Sequence, residues 1–306
     1  MKGTTQFNTG QRLALSLGIT LAFTVVEALA GWWAGSLALL ADAAHNFTDV
    51  LALAVSWFAW RQTARPPDSR RTFGFHRAGI LAAMVNASGL AVLALAIFYE
   101  AYRRLLAPPR VLPLVLTAAG AVAVVVNLGT AWLVHRGSEH DLNLRSAFLH
   151  LLGDVLSSAG ATLAGVGIAL GAWHGLDPLV SGLIGLLILW NAWRVLRETL
   201  AILMESAPAD IDMEKLAADM ATMPGVRGVH DLHAWSISRS LRALSAHVAV
   251  DDIAVRAGDE LRQRIGAMLA QKYNITHTTL QLEFPGCDAS GRSCPWHEKN
   301  SDLNES

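Results

Sequence analysis

A histidine followed four residues later by an aspartate occurs twice in apolar stretches of this 306-residue chain, as His45-Asn46-Phe47-Thr48-Asp49 and as His150-Leu151-Leu152-Gly153-Asp154. On a helix that spacing sets an imidazole and a carboxylate one turn apart on one face, so each segment offers one nitrogen and one oxygen ligand. Two such helices facing each other would form a four-ligand cage for a divalent ion. Two neutral imidazoles and two carboxylates carry a net charge of minus two, which neutralises a dication and suits tetrahedral zinc. Calcium and magnesium want more oxygens, and manganese prefers oxygen-rich sites. Cadmium, cobalt and iron fit the same donors by ligand type.

The donor set also predicts a driving force. Once the metal leaves, two carboxylates remain in low-dielectric surroundings, so protons should enter to compensate, and histidine is the side chain most easily charged near neutral pH. Metal release and proton uptake are then coupled, and the expected activity is proton/zinc antiport. Zinc is the cargo, and no organic cofactor is expected.

The elements that must hold these residues follow from composition. The chain is 53% hydrophobic and only 16% charged, with 10 tryptophans and a mean hydropathy of +0.36, outside the usual range for a soluble protein. Apolar stretches long enough to cross a bilayer as helix lie at roughly 13–33, 37–60, 78–99, 114–134, 147–171 and 179–204, giving six expected spans. The first is too long for a cleaved signal peptide and runs straight into a second apolar segment. Arg61, Arg65, Arg70, Arg71, Arg77, Arg136 and Arg145 fall on one side of the spans, against Arg103, Arg104 and Arg110 on the other. The positive-inside rule makes the first side cytoplasmic, and an even number of spans puts both termini there, in keeping with Lys2 and Arg12. Compact loops suit a bacterial inner membrane. An ionised aspartate inside a span costs about 3 kcal/mol on insertion scales unless it is paired or wet, so two matching pairs point to function rather than packing.

Charge becomes frequent after Met204. The expected organisation is a cytoplasmic segment over 1–12, a six-helix transmembrane domain over 13–204, a cytoplasmic α+β domain over 205–285 and a flexible tail over 286–306. Asp212 can cap a helix over 213–223 that Pro224-Gly225 ends. Strands are expected over 230–237 and 243–250, the second with Leu244, Ala246, Val248 and Val250 alternating, around a turn at 238–241. Leu261, Ile265 and Leu269 mark a second helix, and a last strand covers 275–284. The order helix, strand, strand, helix, strand is that of a small open-faced sandwich. Cys287 and Cys294 lie in the tail, where a C-x6-C spacing is a weak zinc pattern even with His297 nearby.

Beyond the paired motifs, the chain contains Ser36-Leu-Ala-Leu-Leu-Ala-Asp-Ala-Ala-His45, Thr72-Phe-Gly-Phe-His-Arg77, Asn86, Glu100-Ala, Arg104-Leu-Leu-Ala-Pro-Pro109, Asn127, Asp141-Leu-Asn-Leu-Arg-Ser-Ala-Phe-Leu-His150, Val229-His-Asp-Leu-His-Ala-Trp235 and Ser245-Ala-His247. With these motifs the sequence resembles the cation diffusion facilitator family, zinc-exporting branch, from about Leu13 to Glu283. The resemblance implies a homodimer and six transmembrane helices per protomer. It also implies a ferredoxin-like, metallochaperone-type cytoplasmic domain and alternating access that exchanges cytosolic metal for protons. Its transport site maps onto His45, Asp49, His150 and Asp154. It further suggests a regulatory metal at His230, His247 and Glu283, whose residue types suit zinc equally as they suit polar groups on a half-exposed sheet. His233 and Trp235 read as packing residues. Two departures stand out: Gly79 replaces a carboxylate common in the family, and the loop before the fifth span offers only His135 and His140.

Glu27 and Asp42 are further acids in the spans, either lining the path to the site or bonding a neighbouring helix. Gly160, Gly165, Ser181 and Gly185 suit close helix packing. No His-Glu-x-x-His string occurs, which argues against an intramembrane metalloprotease, and a transporter rather than an enzyme is expected. No nucleic-acid partner is expected. The alternative to a transporter is a membrane metal sensor that binds zinc in the same cage without moving it.

Overall fold

The computed structural model describes the backbone of residues 9–63, 65–135, 142–171, 173–238 and 240–284, with side chains apart from those of 9–17, 53, 56, 60, 133–135, 142–147, 149 and 150. The side chains of His135 and His150, and all of His140, Cys287, Cys294, His297 and the 286–306 tail, lie outside the described residues. Six long helices come first: α1 (Thr9–Ala34), α2 (Leu37–Thr63), α3 (Ala78–Leu106), α4 (Pro113–His135), α5 (Leu142–Ala169) and α6 (Leu176–Leu203). Among the described residues, five segments within α2 to α6 are long and apolar enough to cross a membrane, and the apolar part of α1 over Gly18–Ala34 is shorter.

The bundle buries small and polar residues beside a core of Leu39, Leu116 and Ile188, and exposes many large apolar ones. Ala38, Ala41, Ala94 and Ala161 are enclosed together with Glu27, Asp42, Asn127 and Asp154, whereas Val92 is 67% and Leu163 70% exposed. That inversion of a water-soluble interior is what a hydrocarbon solvent selects, since lipid tails accept leucine freely while backbone and polar groups must find partners inside. Close approach of α4 to α5 depends on glycine. A Cβ on Gly120 would sit 2.6 Å from Thr162 Oγ1, and one on Gly165 would sit 2.5 Å from Thr117 Oγ1.

Asp177 at the start of α6 fixes the start of α2. Its carboxylate accepts hydrogen bonds from Ser36 Oγ at 2.5 Å, from the Leu37 amide at 2.7 Å and from the Ala38 amide at 3.2 Å. A negative charge there satisfies the free amides of a helix N-terminus and meets its positive dipole end. Arg104 adds a guanidinium 4.0 Å from Asp177 and donates to the Gly35 carbonyl at 2.6 Å. Gly35 itself turns the chain with φ of 67°, in the left-handed region.

The second compact unit joins Gln62–Leu81 to the described chain from Glu198 onward. In the 62–81 loop, Asp68 accepts from the Arg70 and Arg71 amides at 2.9 and 2.6 Å, and those backbone bonds hold its carboxyl below the usual range. Arg77 pairs with Glu205 at 2.7 Å, and the Phe73 and His277 rings meet edge to face at 5.4 Å.

After α6 come α7 (Met213–Ala221), β1 (Val226–Ser236), β2 (Arg242–Val250), α8 (Val255–Tyr273) and β3 (His277–Glu283). Asp212 caps α7 by accepting from the Glu214 and Lys215 amides. The sheet order is β1-β2-β3, antiparallel between β1 and β2 and parallel between β2 and β3, with α8 as the crossover. One sheet face carries the core of Leu244, Ala246, Val248 and Val250 against Leu216, Met220, Leu261, Ile265 and Leu269. The chain therefore combines a helical membrane domain with a small α+β domain.

Several element boundaries moved, most of the soluble domain's by one or two residues: α7 ends at Ala221 rather than 223. β1 starts at Val226 rather than 230, and β3 starts at His277 rather than 275. The β3 shift has a local cause: Asn274 ends α8 in the left-handed conformation, and Ile275 bonds back to the Leu269 carbonyl while entering the core.

Candidate metal centres

His45 and Asp49 lie one turn apart on α2, and Asp154 reaches them from α5. His45 Nε2 stands 3.5 Å from Asp49 Oδ2 and 3.8 Å from Asp154 Oδ1. Ligands about a tetrahedral zinc at its usual bond lengths are roughly 3.3 Å apart, so these donors need only small side-chain adjustments to share an ion. His45 is 8% and Asp154 4% exposed. The backbone of His150 sits one turn before Asp154 on α5.

A polar network supports this group. Asp42, one turn before His45, accepts from Ser157 Oγ at 2.5 Å and from Ser158 Oγ at 2.9 Å. Ser158 also donates toward the Asp154 carbonyl at 2.9 Å and receives the Asn127 amide at 3.1 Å. On the α1 side, Asn46 donates to Glu27 Oε2 at 3.4 Å. Four helices thus meet through hydrogen bonds around the His45 pair, which sets ligand orientation as outer-shell groups do at metal sites. Asp42 and Glu27 both bond neighbouring helices. Ser157 and Ser158 escaped the reading of the sequence; their signal was hydroxyls three and four residues after Asp154, on the same helix face.

The sheet makes a second cluster. His230 on β1 is paired directly with His247 on β2, and Glu283 on β3 lies diagonally across from His247. His230 Nε2 is 3.2 Å from Glu283 Oε2, and His247 Nδ1 is 3.0 Å from Glu283 Oε1. Neither contact has hydrogen-bond alignment, so both His230 nitrogens and His247 Nδ1 are buried without a hydrogen-bond partner. One ligand atom from each of the three residues falls within 4.8 Å of the others. Two imidazoles and a carboxylate that converge in this way form a donor set whose chemistry suits a divalent cation such as zinc. Asp231 extends the group, its carboxylate 3.7 Å from His247 Nε2 and 3.2 Å from His233 Nε2.

A bulge creates this geometry. Pairing shifts register between His230 and His233, where Asp231 has φ of 47°. Val229 and Leu232 both pack on the helix side although they are three residues apart, so His230 is left on the open face beside His247. His277 stacks on Phe73 instead of joining the cluster.

The family model for the cation efflux transmembrane domain matches residues 13–204, and that for the cation efflux protein cytoplasmic domain matches 208–284. The zinc transporter ZitB of Escherichia coli is 39% identical over 293 residues, 95% of this chain and 92% of its own. The metal cation efflux system protein CzcD of Cupriavidus metallidurans is 36% identical over 276 residues, 90% of this chain and 87% of its own. The cadmium, cobalt and zinc/H(+)-K(+) antiporter of Bacillus subtilis is 35% identical over 89% of this chain and 88% of its own. Among solved structures, the metal-bound C-terminal domain of the CzcD transporter from Cupriavidus metallidurans is 35% identical over 24% of this chain and all of its own, with a TM-score of 0.23.

Proposed function

The chain belongs to the cation efflux family, and on that premise we propose that it exports zinc from the cytosol in exchange for protons, through a site of His45, Asp49, His150 and Asp154. It is a multi-span membrane transporter of divalent metal and not an enzyme. The observation that carries the finer reading is the approach of His45 to carboxylates from two helices inside the bundle. Zinc as cargo draws support from the ZitB relatives, and cadmium and cobalt as further cargo from the names of two others.

The exchange follows from charge. Zinc between two carboxylates is neutral overall, and its departure leaves two negative charges within the apolar bundle. Proton uptake on the histidines restores neutrality, and deprotonation on the other side readies the ligands for the next ion. The name of the Bacillus relative, which pairs metal with protons and potassium, agrees with a cation counterflow.

Both termini face the cytoplasm of a bacterial inner membrane in this reading, and the protein works as a homodimer. His230, His247 and Glu283 hold a regulatory zinc in the cytoplasmic domain, whose bound charge would tie three strands together. That converging trio is also what favours the second reading, a sensor that binds metal without moving it.

Zinc flux in reconstituted vesicles separates the readings. The parent should accumulate zinc at a rate that rises with an opposing pH gradient, and Asp49→Ala should not. A sensor shows no flux in either protein, and a zinc rate indifferent to the pH gradient removes antiport.

A further inference from the structure

We infer that Asp231 is a positioning residue for the cytoplasmic cluster: its carboxylate accepts the Nε2–H of His247 and so fixes that imidazole with a bare Nδ1 turned toward Glu283, ready for zinc. This deepens the reading of His230, His247 and Glu283 as a zinc site and rests on it.

A neutral imidazole carries one proton, so a histidine that binds metal through one nitrogen holds that proton on the other. The surroundings of His247 distinguish the two. Its Nδ1 is buried, 3.0 Å from Glu283 Oε1 and without a hydrogen-bond partner, which makes it the nitrogen available to an ion. Its Nε2 faces Asp231 Oδ2 instead, at 3.7 Å. That separation exceeds a good N–H···O bond by roughly 0.5–1 Å, which a small turn of the carboxylate closes. The result is the carboxylate–histidine–metal arrangement that fixes tautomer and ring orientation at metal sites.

The backbone is shaped to bring the carboxylate there. His230 pairs with His247 and His233 pairs with Ser245, so Asp231 and Leu232 together oppose the single residue Ala246. Leu232 packs against the core, while Asp231 takes the left-handed conformation with φ of 47°. Aspartate and asparagine adopt that conformation more readily than most side chains, but glycine does so without strain. A bulge alone would be met by glycine; the carboxylate serves a further purpose. Its second oxygen is also held, Oδ1 lying 3.2 Å from His233 Nε2, so one carboxylate spans two imidazoles.

The charges agree with this role. Zinc held by two neutral imidazoles and Glu283 keeps one positive charge, and Asp231 behind His247 balances it. The Asp231 side chain is 26% exposed, sheltered enough for the balance to be felt through partial screening.

The test titrates zinc into detergent-solubilised full-length protein carrying Asp49→Ala and Asp154→Ala, so that the zinc counted belongs to the sheet. In that background Asp231→Gly keeps the left-handed turn and removes the carboxylate, while Asp231→Asn keeps turn and shape with a neutral, weaker acceptor. The zinc Kd should rise about 10–100-fold in Asp231→Gly and by less in Asp231→Asn, with the same amount of zinc bound at saturation. Melting temperature in zinc-free buffer should stay that of the background, which separates the setting of His247 from support of the fold. Cobalt in place of zinc should keep the visible absorption bands of the background, because the ligands are unchanged. A shifted cobalt spectrum makes Asp231 a ligand and overturns the assignment, as does a Kd for Asp231→Gly within about threefold of the background. His247→Ala in the same background must lose the zinc; if it keeps it, the cytoplasmic zinc reading falls and the role of Asp231 falls with it.

Discussion

The bundle and the sheet each assemble histidine and carboxylate in buried surroundings, yet the tasks proposed for them differ. His45 and His230 are almost equally hidden, at 8% and 5% exposure. What differs is the charge and the support. The proposed transport site has two carboxylates and a network of Ser157, Ser158 and Asn127 behind it, whereas the sheet cluster has two imidazoles sharing Glu283. An excess of negative charge makes emptying the first site costly without protons. The second, with Asp231 beside His247 as well as Glu283, lies outside the membrane spans, where water and salt screen an emptied cluster, so it can hold an ion without such exchange.

Breaking the transport site should have the largest effect. Asp154→Ala removes a ligand and should reduce zinc flux in vesicles more than a hundredfold, beyond the roughly 10–100-fold expected for outer-shell groups. Next, Ser157→Ala with Ser158→Ala strips Asp42 of both hydroxyls, and flux should fall by about 10–100-fold with the protein still monodisperse. A smaller change is expected from His247→Ala. Equilibrium titration should lose one zinc per chain, while flux at saturating zinc stays within about twofold of the parent; an unchanged stoichiometry would remove the cytoplasmic site.

The smallest effect concerns pH and the clasp between α7 and α8. Lys272 and Tyr273 both bond the Asp219 carboxylate, which lowers its pKa, Lys272 contributing most. A depressed carboxyl stabilises the fold above its ordinary range and loses that contribution as pH falls through the folded value. The melting-temperature gap between parent and Asp219→Asn should therefore be full at neutral pH and close in acid below the ordinary aspartate range. Burial, then the bond to Asp219, pushes Tyr273 up to about 12 from 10.0, so this contribution persists below the ordinary tyrosine range and is lost as pH rises towards 12. Ultraviolet titration should show a tyrosine ionising near that value that is missing in Tyr273→Phe.

The two clusters were unequally legible in the sequence. The pairing of His45 with Asp49 was readable because helix geometry converts a spacing of four into a shared face. Apolar length likewise gave the spans, and Asp212, Pro224 and the 244–250 alternation gave most of the soluble domain. The sheet cluster was named by residue type and resemblance, but its convergence was not legible. It depends on strand register and on a bulge at Asp231 that reverses the phase of β1, and neither leaves a period in the chain. The Asp177 cap was missed for the same kind of reason: its partners lie about 140 residues away in sequence.

That cap also gives α2 a mechanical character. The helix is clamped at Leu37 and Ala38 by a carboxylate from α6, and its far end runs into the 62–81 loop that groups with the cytoplasmic unit. At about 1.5 Å per residue, His45 lies ~12 Å from the clamp and Thr63 ~39 Å from it. Moved as one body, α2 is a lever with its fulcrum at the Leu37–Ala38 clamp. A swing of ~3 Å at the loop becomes ~1 Å at His45, several times the ~0.2 Å tolerance of a metal–ligand bond. Displacement at the far end of α2 is thus felt at the proposed ligand His45 at about one third of its size, still large on the scale of a metal–ligand bond.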